Sequence, residues 1–517
     1  MRILLVHNYY GSSAPSGENQ VFEAERAMLE RHGVKVDVFT RHSDEIRIGE
    51  VERKGGGGQW TCRFLSKVRK LHGLIKGAVC TVANPFAARA LRQKIREFKP
   101  DVVHFHNTFP LISPLAVRAA KKSGAKVVMT LHNYRMVCAA GIPMRCGKVC
   151  RECFSCAANS SISPSIDRLT DCQIDRLSSS YQSVNPSINQ SVNLSILPAL
   201  RHRCYRGSLL ATVPLAINIW LYRKWWARWV DRFIVLSEFQ KKVMTECGLP
   251  EEKIVVKGNF VGGAEYGPRS SFCKSGEDTA SPLSSQRSGV VFVGRLSDEK
   301  GVKTLLKAWR MLNRSSRSTI DRLTDCRIDR LSSSHQSVNP SIGQSVNQSI
   351  GQSVNPSIRQ SVNQSILTLI GDGDQRAEYE SLAKELNVRF LGKVSHERVL
   401  EELAKAKLLV MPSECWETFG LVVVEAAMCG TPAVVSDLGA LPGIVKKLGV
   451  GRVVTAGDAE ALAKGMKELF DCSDCSDCSI GRFNLAEFGE ERNYTELISI
   501  YRSRTERRER NCHDKCD

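Results

Sequence analysis

The feature that most constrains this chain is its alternation of short apolar runs with amphipathic stretches. Strands buried on both faces read as continuous apolar runs, and the helices between them read with a period near 3.6 residues. Apolar runs stand at 3–6, 34–39, 102–105, 126–131 and 232–236 in the first half, and at 290–293, 367–370, 389–391, 408–411, 433–435 and 451–454 in the second. Helical patterns lie between them, for example at 18–31, 115–122, 301–312, 376–386 and 420–429. This rhythm predicts an α/β fold with parallel sheets. At 517 residues the chain exceeds one ordinary core, so two doubly wound, Rossmann-like domains facing a cleft are expected. The expected layout is a first domain over 1–258, a Gly-, Ser- and Pro-rich linker over 259–288 and a second domain over 289–483. A helix over 484–505 returning to the first domain and a disordered charged tail over 506–517 complete it.

Two segments break the rhythm. Residues 166–189 and 320–343 differ at three positions only, and the second runs on in an eight-residue period, QSVNPSIG, QSVNQSIG, QSVNPSIR. Ser, Asn, Gln and Pro dominate, which leaves too little apolar surface for a core and opposes a helix. They are expected as low-complexity insertions in surface loops, spanning 158–196 and 315–366. DCSDCSDCS at 471–479 reads as a spacer of the same kind.

The formal net charge of +19 favours anionic partners. The opening MRILLVHNYYG reads as a strand and a polar loop rather than a signal peptide. The longest apolar run, 209–222, is interrupted by Pro214 and Asn218, so no membrane-spanning helix is expected. The 19 cysteines, an odd number, are then expected as thiols in a cytoplasmic protein. Residues 201–232 alternate basic side chains with Trp220, Trp225, Trp226 and Trp229. That pattern fits either a helix lying on an anionic membrane surface or a core helix with a basic edge. Peripheral contact with the inner face of the cytoplasmic membrane is the expectation.

The strongest chemical signal is PSECWETFGLVVVEAAMCGTP at 412–432. A strand feeds a polar loop and then a helix, and in open α/β sheets ligands bind outside the carboxyl ends of strands. The amides of Thr418, Phe419, Gly420 and Leu421 are expected to point out of a helix N-terminus, where a diphosphate binds well. Glu417 lies before the helix and Glu425 inside it, so the two carboxylates can bracket a polyhydroxylated ligand; taken singly, they read as a solvent-facing Glu and a helix-stabilising Glu. The second signal is VFVGRLSDEK at 291–300, where Gly294 allows a sharp turn. Arg295 and Lys300 there read either as a phosphate clamp, a bidentate fork and a point charge, or as ordinary surface charge. Gly371-Asp372-Gly373-Asp374 reads as a turn. In the first half, Gly17 opens a helix after a polar loop, and His132 ends a strand. His104 and His106 read as scaffold.

Together, GRLSDEKG at 294–301, IGDGD at 370–374, the Glu417/Glu425 pair and EAAMCGTPAV at 425–434 resemble glycosyltransferase family 4, with its GT-B fold. The resemblance implies a retaining transferase that moves a sugar from a nucleotide-sugar donor to a glycan or lipid-linked acceptor, in surface polysaccharide or lipopolysaccharide synthesis. It implies that Arg295 and Lys300 hold the donor diphosphate, Glu425 the ribose and Glu417 the sugar ring. No cofactor is required for catalysis, since cations do the work of a metal. Thr418 stands where the family often has Gly, and Ser16 where it commonly has the first of two glycines. His132 matches the family's acceptor-side histidine, which orients a hydroxyl or contacts phosphate; a structural role at the strand end remains the other reading. The rival functions are a GT-B-fold nucleotide-sugar epimerase and an inactive nucleotide-sugar-binding protein. A nucleic-acid binder explains the charge but not the Arg295, Lys300, Glu417, Glu425 set. Finally, Cys150 and Cys153 have the spacing of a metal knuckle, and Cys138 and Cys204 complete four thiolates. A structural zinc and free loop thiols are the two readings.

Overall fold

The computed structural model describes residues 1–10, 17–43, 77–145, 147–154, 197–261, 287–313, 365–449, 451–471 and 483–503. Both repeat tracts, most of the linker, the loop ending at Ser16, the DCSDCSDCS spacer and the tail lie outside the described residues.

The first sheet contains β1 (Arg2–Tyr9), β2 (Lys35–His42), β3 (Val102–Phe105), β4 (Lys126–Leu131), β5 (Arg232–Val235) and β6 (Ile254–Val256), in the order β2-β1-β3-β4-β5-β6. The second contains β7 (Val290–Val293), β8 (Leu367–Ile370), β9 (Val388–Gly392), β10 (Leu408–Met411), β11 (Ala433–Ser436) and β12 (Arg452–Val454), in the order β9-β8-β7-β10-β11-β12. Every pairing within both sheets is parallel. These are the two usual doubly wound orders. Each places its crevice where the chain reverses direction across the sheet, between β1 and β3 in the first and between β7 and β10 in the second. Central strands such as β3, β8, β10 and β11 are buried at every residue, which is why they read as unbroken apolar runs.

Helix α1 (Gly17–Arg31) buries Val21, Phe22, Met28 and Leu29, one stripe at helical spacing, and buries Glu25 within the same stripe. Helix α2 (Leu209–Trp229) is capped by the Ser208 hydroxyl, which accepts from the Ala211 amide. Its buried positions, from Thr212 to Trp229, run along its whole length. Trp226 and Trp229 face the core and Trp225 stacks on Trp229, so of the four tryptophans in this stretch only Trp220 is exposed. Among the described residues no helix is long and apolar enough to cross a membrane. Helix α3 (Leu421–Met428) starts one residue later than its apolar pattern suggests, because Gly420 takes a left-handed backbone and caps it. After the second sheet, helix α4 (Glu490–Arg502) packs Leu497, Ile498 and Ile500 against Ile3, Leu5 and Phe22 of the first domain.

Candidate active site at the facing strand ends

The loops after β7 and β10 are forced together. Gly301 has a left-handed φ of 68°, and a Cβ there would lie 2.0 Å from the Pro412 carbonyl oxygen. Only glycine tolerates both conditions. The close approach brings Lys300 onto Glu417, with Nζ donating to Oε1 at 2.6 Å. The Ser413 hydroxyl donates to the same oxygen at 2.6 Å. From the other side Gly439, also left-handed, leaves no room for a Cβ, which would stand 2.5 Å from the Glu417 amide nitrogen. Glu417 is thus held by its own loop through Ser413 and by two distant segments, at Lys300 and Gly439.

The electrostatics follow from burial. Burial alone would raise the Glu417 carboxyl, but the adjacent Lys300 ammonium outweighs it and holds the group below its usual range. Burial alone would lower Lys300, and Glu417 reverses that too. Both groups are therefore charged, and each is the other's counter-ion. Arg295 is 59% exposed and lies 3.5 Å from Glu299, and its charge also acts on both Glu417 and Lys300. Glu425 stands on α3, 3.7 Å from His396 Nε2. Burial pushes its carboxyl up to about 7. Gly294 and Leu421 take their expected places, after β7 and at the start of α3. Phe419 turns inward, buried in the second domain's core, so it offers a ligand only its backbone.

The loop carrying Glu417 also reaches the first domain. The Thr418 hydroxyl donates to the His132 carbonyl at 3.0 Å. Trp416 is buried among Tyr134, Phe154 and Phe239 of the first domain, with the Arg151 guanidinium 5.5 Å from its ring centroid. Sequence reading missed Trp416, Ser413 and Gly439. The only signal was a lone tryptophan in a polar loop.

On the first-domain side, His132, His106, Asn133 and Arg135 line a cavity of about 70 Å³ between the strand ends and α2. Lys300 and Glu417 are not part of its wall. Asn133 donates to Glu18 at 2.6 Å, which sets the α1 N-terminus and Gly17 beside the end of β4. His106, read as scaffold, is buried, and its Nδ1 meets His132 Nε2 at 3.1 Å. Cys138, Cys150, Cys153 and Cys204 form no disulfide. Cys153 and Cys204 pack on one apolar cluster with Ala139 and Ala199. Burial, reinforced by the neighbouring thiols, pushes Cys138 up to about 12 and Cys153 up to about 11. Among the described residues, the one group whose metal-capable atoms all lie within 4.8 Å of one another is Glu25, His104 and His106; no three of the four sulfurs come that close.

Residues 16–156 match the family described as Glycosyl transferase 4-like domain, and residues 353–479 match Glycosyl transferases group 1. The phosphatidyl-myo-inositol mannosyltransferase of Mycobacterium leprae is 36% identical over 106 residues, covering 20% of this chain and 28% of that protein. The N-acetyl-alpha-D-glucosaminyl L-malate synthase of Bacillus anthracis is 35% identical over 101 residues, covering 19% and 26%. The chain thus spans about a quarter of the length of these curated relatives, 28% and 26%. Whole-length similarity is found among solved structures. Sucrose-phosphate synthase from Thermosynechococcus elongatus has a TM-score of 0.51 at 16% identity, covering 97% of this chain and 98% of that one. Anabaena Alr3699/HepE in complex with UDP and glucose has a TM-score of 0.50 at 16% identity, covering 96% and 98%. The fold is GT-B, as the resemblance implies.

Proposed function

We propose that this chain is a retaining glycosyltransferase of family 4. It takes a nucleotide sugar into the second domain and passes the sugar to a hydroxyl of a glycan or lipid-linked acceptor, in surface polysaccharide or lipopolysaccharide synthesis. The observation that carries the reading is the buried Lys300–Glu417 pair at the crevice of the second sheet. A cation there stabilises a departing nucleoside diphosphate, and a carboxylate beside it holds a sugar hydroxyl. Lys300 is spent on Glu417 until a donor arrives; the diphosphate then competes for the ammonium and leaves the carboxylate to the sugar. Arg295, exposed on the neighbouring turn, adds a second cation. Glu425, on α3, takes the ribose. The two matched glycosyl transferase families support the activity. The test is incubation with a panel of nucleotide sugars and an acceptor extract, scoring free nucleoside diphosphate and epimerised sugar separately. Diphosphate release with a labelled glycan is expected. Epimerised donor with no release would replace transfer by epimerisation.

The acceptor side of this reading includes an anionic membrane surface. Leu210 is 85% exposed and Trp220 60%, both on α2. Asn218 of the same helix donates to the Thr81 carbonyl, next to exposed Val79 and Phe86. Arg201, Arg203, Arg206, Lys224 and Arg228 are exposed along the same stretch. Apolar side chains ringed by cations suit the headgroup region. The protein is expected to sediment with vesicles containing anionic phospholipid, and L210D/W220D to weaken that binding by about tenfold or more while turnover on a soluble acceptor is kept. Equal binding to neutral vesicles, or no change in the variant, would discard the surface.

Zinc at the four thiols is a separate proposal, resting on the Cys150/Cys153 spacing and the shared neighbourhood of Cys153 and Cys204. A bound ion would draw the sulfurs to about 2.3 Å from it. Elemental analysis of tag-free protein is then expected to give about one zinc per chain, and C150S/C153S to lose it. Metal-free native protein that is folded and active would end the proposal.

A further inference from the structure

A buried chain of polar side chains runs from the interior of the first domain to the cavity that His132 lines. Glu25 is 2% exposed and sits in the apolar stripe of α1. Its Oε2 lies 3.3 Å from Lys257 Nζ, and its Oε1 lies 3.2 Å from His106 Nε2 and 3.1 Å from His104 Nδ1. His104 is tied down at both ends: Nδ1 meets the Tyr501 hydroxyl at 2.7 Å and Nε2 the Thr130 hydroxyl at 2.8 Å. His106 continues outward through Nδ1 to His132 Nε2, 3.1 Å away. His132 stands at the cavity, and its carbonyl accepts from Thr418 of the donor loop. Among the described residues no hydrogen bond engages His132 Nδ1.

We infer that Glu25 and His106 are positioning residues that fix the tautomer of His132, so that its Nδ1 faces the acceptor as a lone pair. This rests on the transferase reading and assigns two residues beyond it.

Glu25 is a carboxylate that only accepts: burial would raise it, and Lys257 together with the two histidines holds it well below its usual range. The 3.2 Å contact between His106 Nε2 and Glu25 Oε1 is not aligned as a hydrogen bond, but a lone pair on Nε2 would still face the anion and be repelled, so Nε2 carries the hydrogen. Lys257 already matches the single negative charge, and a second hydrogen on His106 would leave net charge in a buried site. His106 Nδ1 is therefore an acceptor. The contact with His132 then needs its hydrogen on His132 Nε2. Burial holds His132 well below the usual imidazole range, so it is neutral and Nδ1 is bare. A bare Nδ1 accepts from an acceptor hydroxyl and turns that oxygen's lone pairs toward the donor sugar. No proton needs to move.

The experiment is nitrogen NMR of protein labelled only at its 11 histidines, with His132 assigned by difference from H132Q. The native protein is expected to show His132 as the Nε2–H tautomer at neutral pH. In E25Q the amide can turn its NH2 toward His106 and reverse the chain, giving an Nδ1–H or mixed His132. With it, the acceptor KM is expected to rise on the order of tenfold, the loss of one oriented hydrogen bond, at unchanged donor KM. H106Q, which cuts the link without touching the Glu25–Lys257 pair, is expected to give a mixed tautomer as well. An Nδ1–H tautomer in the native protein overturns the inference without any variant. So does a folded E25Q or H106Q with native tautomer and native acceptor KM. Failure of the transferase reading is visible apart from this, as absence of turnover with every nucleotide sugar while the tautomer remains measurable.

Discussion

K300A is expected to lower turnover by about 10²- to 10³-fold, the range found when one preorganised electrostatic group is removed from a transition state. Two losses add up. The departing diphosphate loses its closest cation, and Glu417, only 13% exposed, loses the counter-ion that keeps it charged. R295A is expected to cost less, about tenfold, because an exposed guanidinium is screened by water and already lies near Glu299. E417Q separates the two roles. With Lys300 released from its partner, nucleoside diphosphate should bind several-fold tighter, while turnover falls because the sugar contact is weakened. Calorimetric titration with nucleoside diphosphate and steady-state rates on the best donor check all three variants. Native rates in K300A, or weaker diphosphate binding in E417Q, would mean that the ion pair is structural and that the donor site lies elsewhere.

The strands were legible because their burial is two-sided. The apolar runs at 102–105, 126–131, 290–293, 367–370 and 408–411 coincide with β3, β4, β7, β8 and β10. Ile254–Val256 was missed: three residues after a charged turn are too short to separate from a loop, and only pairing with β5 makes them a strand. The α2 stretch misled in part. Its many cations and tryptophans suggest a surface helix, yet Trp226 and Trp229 pack inward, which no local pattern reveals. The site residues show the same division. Lys300 and Glu417 could be picked out singly by motif, but their contact spans 117 positions and depends on Gly301 lying under Pro412. His106 read as scaffold because one strand-end histidine looks like another; its contacts with His132 and Glu25 appear only when β3 and β4 are set side by side and Glu25 is found beneath them.

Trp416 shows what such long-range placement does for activity, and W416A is the second variant with a large expected effect. The residue belongs to the loop between β10 and α3, yet its ring lies 5.2 Å from Phe239 and 5.8 Å from Phe154, within the apolar cluster of the first domain. It is 3% exposed. Truncating a buried Trp costs about 3–5 kcal/mol. Much of that energy acts across the two domains, since its aromatic partners Tyr134, Phe154 and Phe239 belong to the first domain, while Leu438 of its own domain lies in the same cluster. Each sheet keeps its own core around β1–β6 and β7–β12, so the penalty falls on closure rather than on the folding of either domain. Glu417 and Thr418, the next two residues, would then lose their fixed distance from His132, and misplacement of reacting groups by about 1 Å can cost 10²-fold in rate. W416A is therefore expected to melt near the native temperature, to lose about 10²-fold in turnover, and to show a larger radius of gyration by small-angle scattering. W416F, which keeps an aromatic ring in the pocket, should recover most of the rate. A variant that unfolds at a much lower temperature would place the tryptophan in the stability of the first domain instead, and one with native turnover would show that the facing domains hold their spacing without it.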